Sequence, residues 1–167
     1  TTPKGVNVQC LGRTQLDISS ASDVLAAFQT FKPSVVINAS AYTAVDKAES
    51  EPEAAYAVNS QAVANIAKAC KQVGARLLHV STDFVFGNNS ALTAGGIAPL
   101  LPSSPVEPIS VYGASKLAGE QHVLKLLPDA SVIVRTAWVY SRYGNNFVKT
   151  MLRLMAEKPE LGVIADQ

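Results

Sequence analysis

The sequence predicts an α/β fold with a parallel sheet, on three observations. Apolar runs of strand length alternate with stretches of helical periodicity along the whole chain. Ser34-Val35-Val36-Ile37-Asn38-Ala39 and Ser131-Val132-Ile133-Val134-Arg135-Thr136 are nearly continuous apolar runs, as in strands buried on both faces. Each run ends in small or hydroxylated residues, the composition of a ligand-facing strand end. Right-handed crossovers would place helices on both faces of the sheet.

Taken in order, Val6-Asn7-Val8-Gln9-Cys10-Leu11 alternates and predicts a first strand. Leu16-Asp17-Ile18 leads into Ser19-Ser20-Ala21-Ser22-Asp23, a helix start, and Pro33 closes that helix. The Val35 strand ends at Ala39-Ser40-Ala41-Tyr42-Thr43. Ser50-Glu51-Pro52-Glu53 has the form of a capping box with proline in the first turn. Ala55, Val58, Ala62, Ile66 and Ala69 follow at helical spacing up to Gly74. Arg76-Leu77-Leu78-His79-Val80 is the next strand, stopping at Ser81-Thr82-Asp83. The Gly/Pro/Ser-rich stretch from about Gly87 to Pro108 is long for a compact domain and reads as a lid or binding loop. A helix from Val111 to about Leu127 is stopped by Pro128. After the Ser131 strand, Gly144-Asn145-Asn146 opens a last helix with Phe147, Met151, Leu154 and Met155 expected inward. Leu161-Gly162-Val163-Ile164 would start another strand.

The length of 167 residues suits one domain with a sizeable core. Lys+Arg 14 against Asp+Glu 13 argues against nucleic acid or a membrane surface as partner, since both need a basic excess. No apolar run reaches bilayer length. Cys10 and Cys70 lack zinc-type spacing and read as reduced packing residues of a cytoplasmic protein. His79 and His122 have no ligand cluster around them, so no metal site is expected.

Chemistry concentrates in Val111-Tyr112-Gly113-Ala114-Ser115-Lys116. On a helix, Tyr112 and Lys116 are i and i+4 and share a face. A phenol titrates near pH ~10 and transfers protons poorly at neutral pH. A cation beside it favours the phenolate, so Lys116 is expected to lower the Tyr112 pKa. Gly113 and Ala114 keep the turn small enough for a flat cofactor to approach. By itself the pair equally fits an amphipathic surface helix.

Four segments together carry a resemblance: Asn38 to Glu49 (NASAYTAVDKAE), Ser81 to Phe86 (STDFVF), Val111 to Glu120 (VYGASKLAGE) and Gly144 to Met151 (GNNFVKTM). The chain resembles the dTDP-4-dehydrorhamnose reductase family of the extended short-chain dehydrogenase/reductase superfamily, from about Val6 to Gln167. The Tyr–Lys pair is a superfamily feature; the AYTAVDKAE and GNNF segments are more specific. The resemblance implies a Rossmann-like dinucleotide-binding domain over residues 1–167. It implies reduction of the 4-keto group of dTDP-4-dehydro-L-rhamnose by NADPH or NADH. Tyr112 would protonate the forming alkoxide, Lys116 would hold the nicotinamide ribose, and Thr82 would hydrogen-bond the substrate carbonyl. Asp83 and Trp138 match sugar-contacting positions. Ala41, Tyr42 and Thr43 match a segment along the dinucleotide, Asp17 and Ile18 the segment beside adenine, and Asn59 an asparagine supporting the proton path. Arg13 is placed to meet a 2′-phosphate and favours NADPH.

Each role has a structural alternative. Ser81 could supply the hydroxyl in place of Thr82, Trp138 could be core, Asp17 could cap a helix, and Asn59 and Arg13 could face solvent. The partner implied is a nucleotide-sugar substrate, and a homodimer of the whole enzyme is compatible with the resemblance. Other superfamily readings are a nucleotide-sugar epimerase or dehydratase, or a non-catalytic subunit like the regulatory β-subunit of methionine adenosyltransferase. The sequence departs from the family in three ways. The family's first strand and its Gly-rich turn are missing, so that the chain opens at what looks like the second strand; the C-terminal substrate region is missing after Gln167; and residues 91–102 are apolar where the family is acidic. The expected domain is therefore incomplete, a fragment with poor dinucleotide binding and little turnover by itself.

Overall fold

The computed structural model describes residues 4–87 and 99–162. It divides into two compact units, Thr1–Arg135 and Thr136–Gln167.

In the first unit, helix α1 (Ala21–Phe31) begins where Ser20 Oγ accepts the Asp23 amide, and ends at Lys32 in the left-handed region before Pro33. Strand β1 (Val35–Asn38) follows. Short helix α2 (Val45–Ser50) was not expected. It absorbs Ser50, whose hydroxyl donates to Lys47 O at 3.0 Å, so the predicted capping box does not form. Pro52 starts α3 (Pro52–Tyr56) without a side-chain cap. A π-helical turn (Ala57–Gln61) joins it to α4 (Ala62–Val73), which ends at Gly74 with φ 73°. Strand β2 (Arg76–Thr82) runs into a 3-10 turn, Asp83–Val85. Helix α5 (Val111–Leu126) and strand β3 (Ser131–Thr136) complete the order.

The sheet order is β1-β2-β3. β1 and β2 are parallel, with Val35 opposite Arg76 and Asn38 opposite His79. On β3's side, the Leu77 amide donates to Ala130 O at 2.9 Å. Val24 and Phe28 of α1, Ile66 and Cys70 of α4, Leu77 of β2 and Val123 of α5 form the core. All these helices lie on one face. The opposite face shows Ile37 68% and Val132 58% exposed. Among the described residues of the first unit no helix covers that face, and residues patterned for two-sided burial stand open on it.

Three further expectations are corrected. Val6–Leu11 forms no strand and is exposed, because alternation makes a strand only beside an edge that accepts its hydrogen bonds. Cys70 is a core residue but Cys10 is exposed. In the second unit, helix α6 (Phe147–Glu157) forms after Asn146, whose Oδ1 accepts the Lys149 amide at 3.1 Å. Its apolar stripe is present, yet none of its residues is buried, and Phe147, expected inward, is 43% exposed. The expected strand at 161–164 lies partly outside the described residues, as does the expected loop over 87–108. Among the described residues, no helix is long and apolar enough to cross a membrane.

Candidate functional site

The carboxyl end of β2 and the first turns of α5 meet at Thr82 and Tyr112. Ser110 Oγ accepts the Gly113 amide at 3.1 Å, starting α5 one residue before Val111. Gly113 is required there. A Cβ built on it would lie 2.5 Å from Phe84 O, so only hydrogen lets the helix approach the end of β2. The Phe84 ring meets Tyr112 edge to face, centroids 5.5 Å apart.

Thr82 is buried, and its hydroxyl faces the Tyr112 phenol, where it favours the phenolate. Thr82 also accepts the Phe84 amide at 3.2 Å and lies 3.1 Å from Asp83 Oδ1. Lys116, one turn further along α5, is 2% exposed and donates to Val80 O at 2.7 Å. Burial pulls its pKa down to about 8, against the raising influence of Glu120. The sequence-based expectation for the phenol is corrected. Burial raises the Tyr112 pKa, the Thr82 hydrogen bond lowers it, and the Asp83 charge raises it again. Burial is the largest of these, and the Lys116 ammonium donates one of its protons to the Val80 carbonyl rather than to the phenol.

Asn59 occupies the π-helical turn and is fully buried rather than facing solvent. Its Oδ1 accepts the Tyr42 amide at 2.8 Å, and its Nδ2 donates to Tyr42 O and to Ser115 Oγ at 3.1 and 3.0 Å. Ser115 Oγ donates in turn to Tyr112 O at 2.8 Å. One asparagine thus pins Ala41-Tyr42-Thr43, beyond β1, to the helix carrying Tyr112. Insertions of this helical type recur where a site needs a side chain re-aimed.

Asp17 accepts from Ser19 N and Oγ at 2.9 and 2.7 Å. Those two bonds hold its carboxyl below the usual range. Ile18 O is held by Asn65 Nδ2 at 3.2 Å, and Arg13 is exposed. Trp138 belongs to the second unit, where it has φ 51° and packs edge to face on Phe147 at 4.9 Å.

Sequence reading did not single out the ion pair beneath the site. Glu120 is 1% exposed and takes Arg135 Nε and Nη2 at 3.0 and 2.7 Å. Arg135 also donates to Pro102 O at 3.1 Å and lies 4.8 Å over the Phe86 ring. Two signals were available: an arginine inside an apolar strand, and a glutamate four places after Lys116.

This architecture and geometry define a parallel α/β domain of the reductase and epimerase type, built around a Tyr-x-x-x-Lys helix. The chain belongs to the RmlD substrate binding domain family, whose model matches residues 1–167. A dTDP-4-dehydrorhamnose reductase of Streptomyces griseus is 46% identical over 98% of this chain and 52% of its own length. One from Mycolicibacterium smegmatis is 48% identical over 98% of this chain and 48% of its own. The chain spans about half the length of the curated relatives it matches. Among solved structures, a dTDP-4-dehydrorhamnose reductase of Bacillus anthracis in complex with NADP superposes with TM-score 0.89 and 41% identity, over 100% of this chain and 57% of that one. A UDP-glucose 4-epimerase of Thermus thermophilus in complex with NAD shares 26% identity at TM-score 0.66, over 83% of this chain and 43% of that one.

Proposed function

We propose that the protein containing this chain reduces the 4-keto group of dTDP-4-dehydro-L-rhamnose to dTDP-L-rhamnose with NADPH or NADH. The observation that carries the reading is the meeting of the Thr82 hydroxyl, at the end of β2, with the Tyr112 phenol on α5, with the Lys116 ammonium one helical turn behind. A carbonyl oxygen entering between the two hydroxyls would draw the Thr82 proton away from Asp83 Oδ1 and receive a hydrogen bond from each, and the phenol would protonate it as charge develops.

The residues fit a nicotinamide dinucleotide. An ammonium carries three N–H donors, and Val80 takes one of Lys116's; two remain for the hydroxyls of a ribose. Ala41, Tyr42 and Thr43 offer a small segment whose backbone Asn59 already holds in place. Asp17, Ile18 and Arg13 are proposed for the adenosine end, and Asp83 and Trp138 for the sugar. When bound, the nicotinamide supplies the hydride. The chain's own task is to fix the carbonyl, deliver the proton from Tyr112 and hold the ribose.

The identity of 41% to the Bacillus anthracis reductase, against 26% to the Thermus thermophilus epimerase, favours net reduction over epimerisation. The test is NADPH consumption by the complete protein with the 4-keto sugar, in the unaltered form and in Tyr112→Phe. The variant is expected to lose about 10²-fold or more in kcat. An equal kcat removes Tyr112 from the mechanism. Hydride returned to the sugar, with no net NADPH loss, favours an epimerase.

A further inference from the structure

The AVDKAE segment, specific to the family by resemblance, holds no role in the chemistry above. Its position in the fold gives it one. Helix α2 lies beside the amino end of α5, and its buried Ala48 seats it there. The first amides of any helix lack acceptors within the helix. In α5, Ser110 Oγ satisfies Gly113. The Val111 amide is instead taken by Glu49 Oε1, 2.8 Å away and 62 residues distant in sequence. Next along α2's carboxyl end, Glu51 receives the Tyr42 hydroxyl at 2.9 Å and pairs with Lys47 at 2.9 Å. The α2 region therefore grips both the Ala41–Thr43 segment and the residue next to Tyr112.

We propose that Glu49 is a positioning residue for Tyr112, fixing the first turn of α5 through the Val111 amide. This rests on the reduction proposed above. Besides Thr82 at its phenol, Tyr112 has three restraints: the Phe84 ring at one side, Ser115 on its carbonyl, and Glu49 on the amide just before it. Glu49 lies two residues before Glu51, which receives the Tyr42 hydroxyl of the proposed dinucleotide segment.

Two measurements test the proposal. In the 167-residue chain, amide exchange at Val111 is followed by NMR. Glu49→Ala is expected to speed it about fivefold, the counterpart of one lost hydrogen bond, and Glu49→Gln, which keeps an oxygen acceptor, to restore it. In the complete protein, Glu49→Ala is expected to lower kcat about tenfold with KM for the sugar unchanged, and Glu49→Gln to recover most of that loss. Asp46→Ala, on the same helix, serves as control. Unchanged Val111 exchange in Glu49→Ala overturns the contact. Faster exchange with an unaltered kcat overturns the positioning role. An unaltered protein that reduces no 4-keto sugar removes the reaction itself, and the exchange data then decide the contact alone.

Discussion

Gly119 sits where α5 crosses the π-helical turn, and replacing it with alanine sets two effects against each other. A Cβ at this position would lie 2.2 Å from Asn59 O and 3.4 Å from Asn59 C. The partner is backbone, so no side chain can rotate away. Opening the contact to an ordinary separation needs a shift of about 1 Å between α5 and the turn, at a cost of about 3 kcal/mol. Alanine also improves helix propensity by about 1 kcal/mol over glycine. The clash wins by about 2 kcal/mol, so the melting temperature should fall by roughly 4–8 °C for a chain of this size. The same shift strains the Asn59–Ser115 hydrogen bond of 3.0 Å, one residue type away from Tyr112's own carbonyl contact. A misplacement of about 1 Å can cost about 10²-fold in rate. Thermal and urea denaturation of Gly119→Ala, followed by circular dichroism, measure the first effect; kcat of the complete protein measures the second. A variant as stable as the parent, or more so, would show that the helices are not in backbone contact here and refute the packing described for the site.

Two other predictions follow from buried charge. His79 is fully buried, with Nδ1 facing Asn38 Nδ2 at 3.1 Å, and burial holds its pKa down to about 4 from the ordinary 6.5. Its folded value is the depressed one, so its stabilisation is present above pH 6.5 and is lost as pH falls toward 4. Between pH 7 and pH 5 the parent should lose about 2 kcal/mol more than His79→Gln in urea denaturation; parallel pH profiles would contradict this. Arg135→Met leaves the Glu120 carboxylate buried without its cation and should cost about 3 kcal/mol. Adding Glu120→Gln should recover part of that loss, and a double variant no better than the single one would argue against the pair.

Much of the site was legible in the sequence because its determinants are local. Tyr112 and Lys116 share a helix, and Pro33, Pro128 and Gly74 mark boundaries through the backbone preferences of single residues. Strand runs such as Val35–Asn38 could be read from composition alone. Two inferences that needed a packing partner failed. Val6–Leu11 has a strand's alternation but no neighbour to pair with, and α6 has an apolar stripe but buries none of it.

The protonation of the site was likewise out of reach. The sequence places a lysine four residues from a tyrosine and suggests that it tunes the phenol. Only the tertiary structure decides that Lys116 donates to Val80 O, that Thr82 stands against the phenol, and that burial sets the direction of both pKa shifts. Glu49 reaching Val111 and Asn59 reaching Tyr42 are of the same kind. Periodicity and caps are written within a few residues, so the chain by itself determines its helices, its strand candidates and the face that Tyr112 and Lys116 share. Desolvation and hydrogen bonds between distant segments depend on which surfaces meet, and that is settled only when the chain has folded.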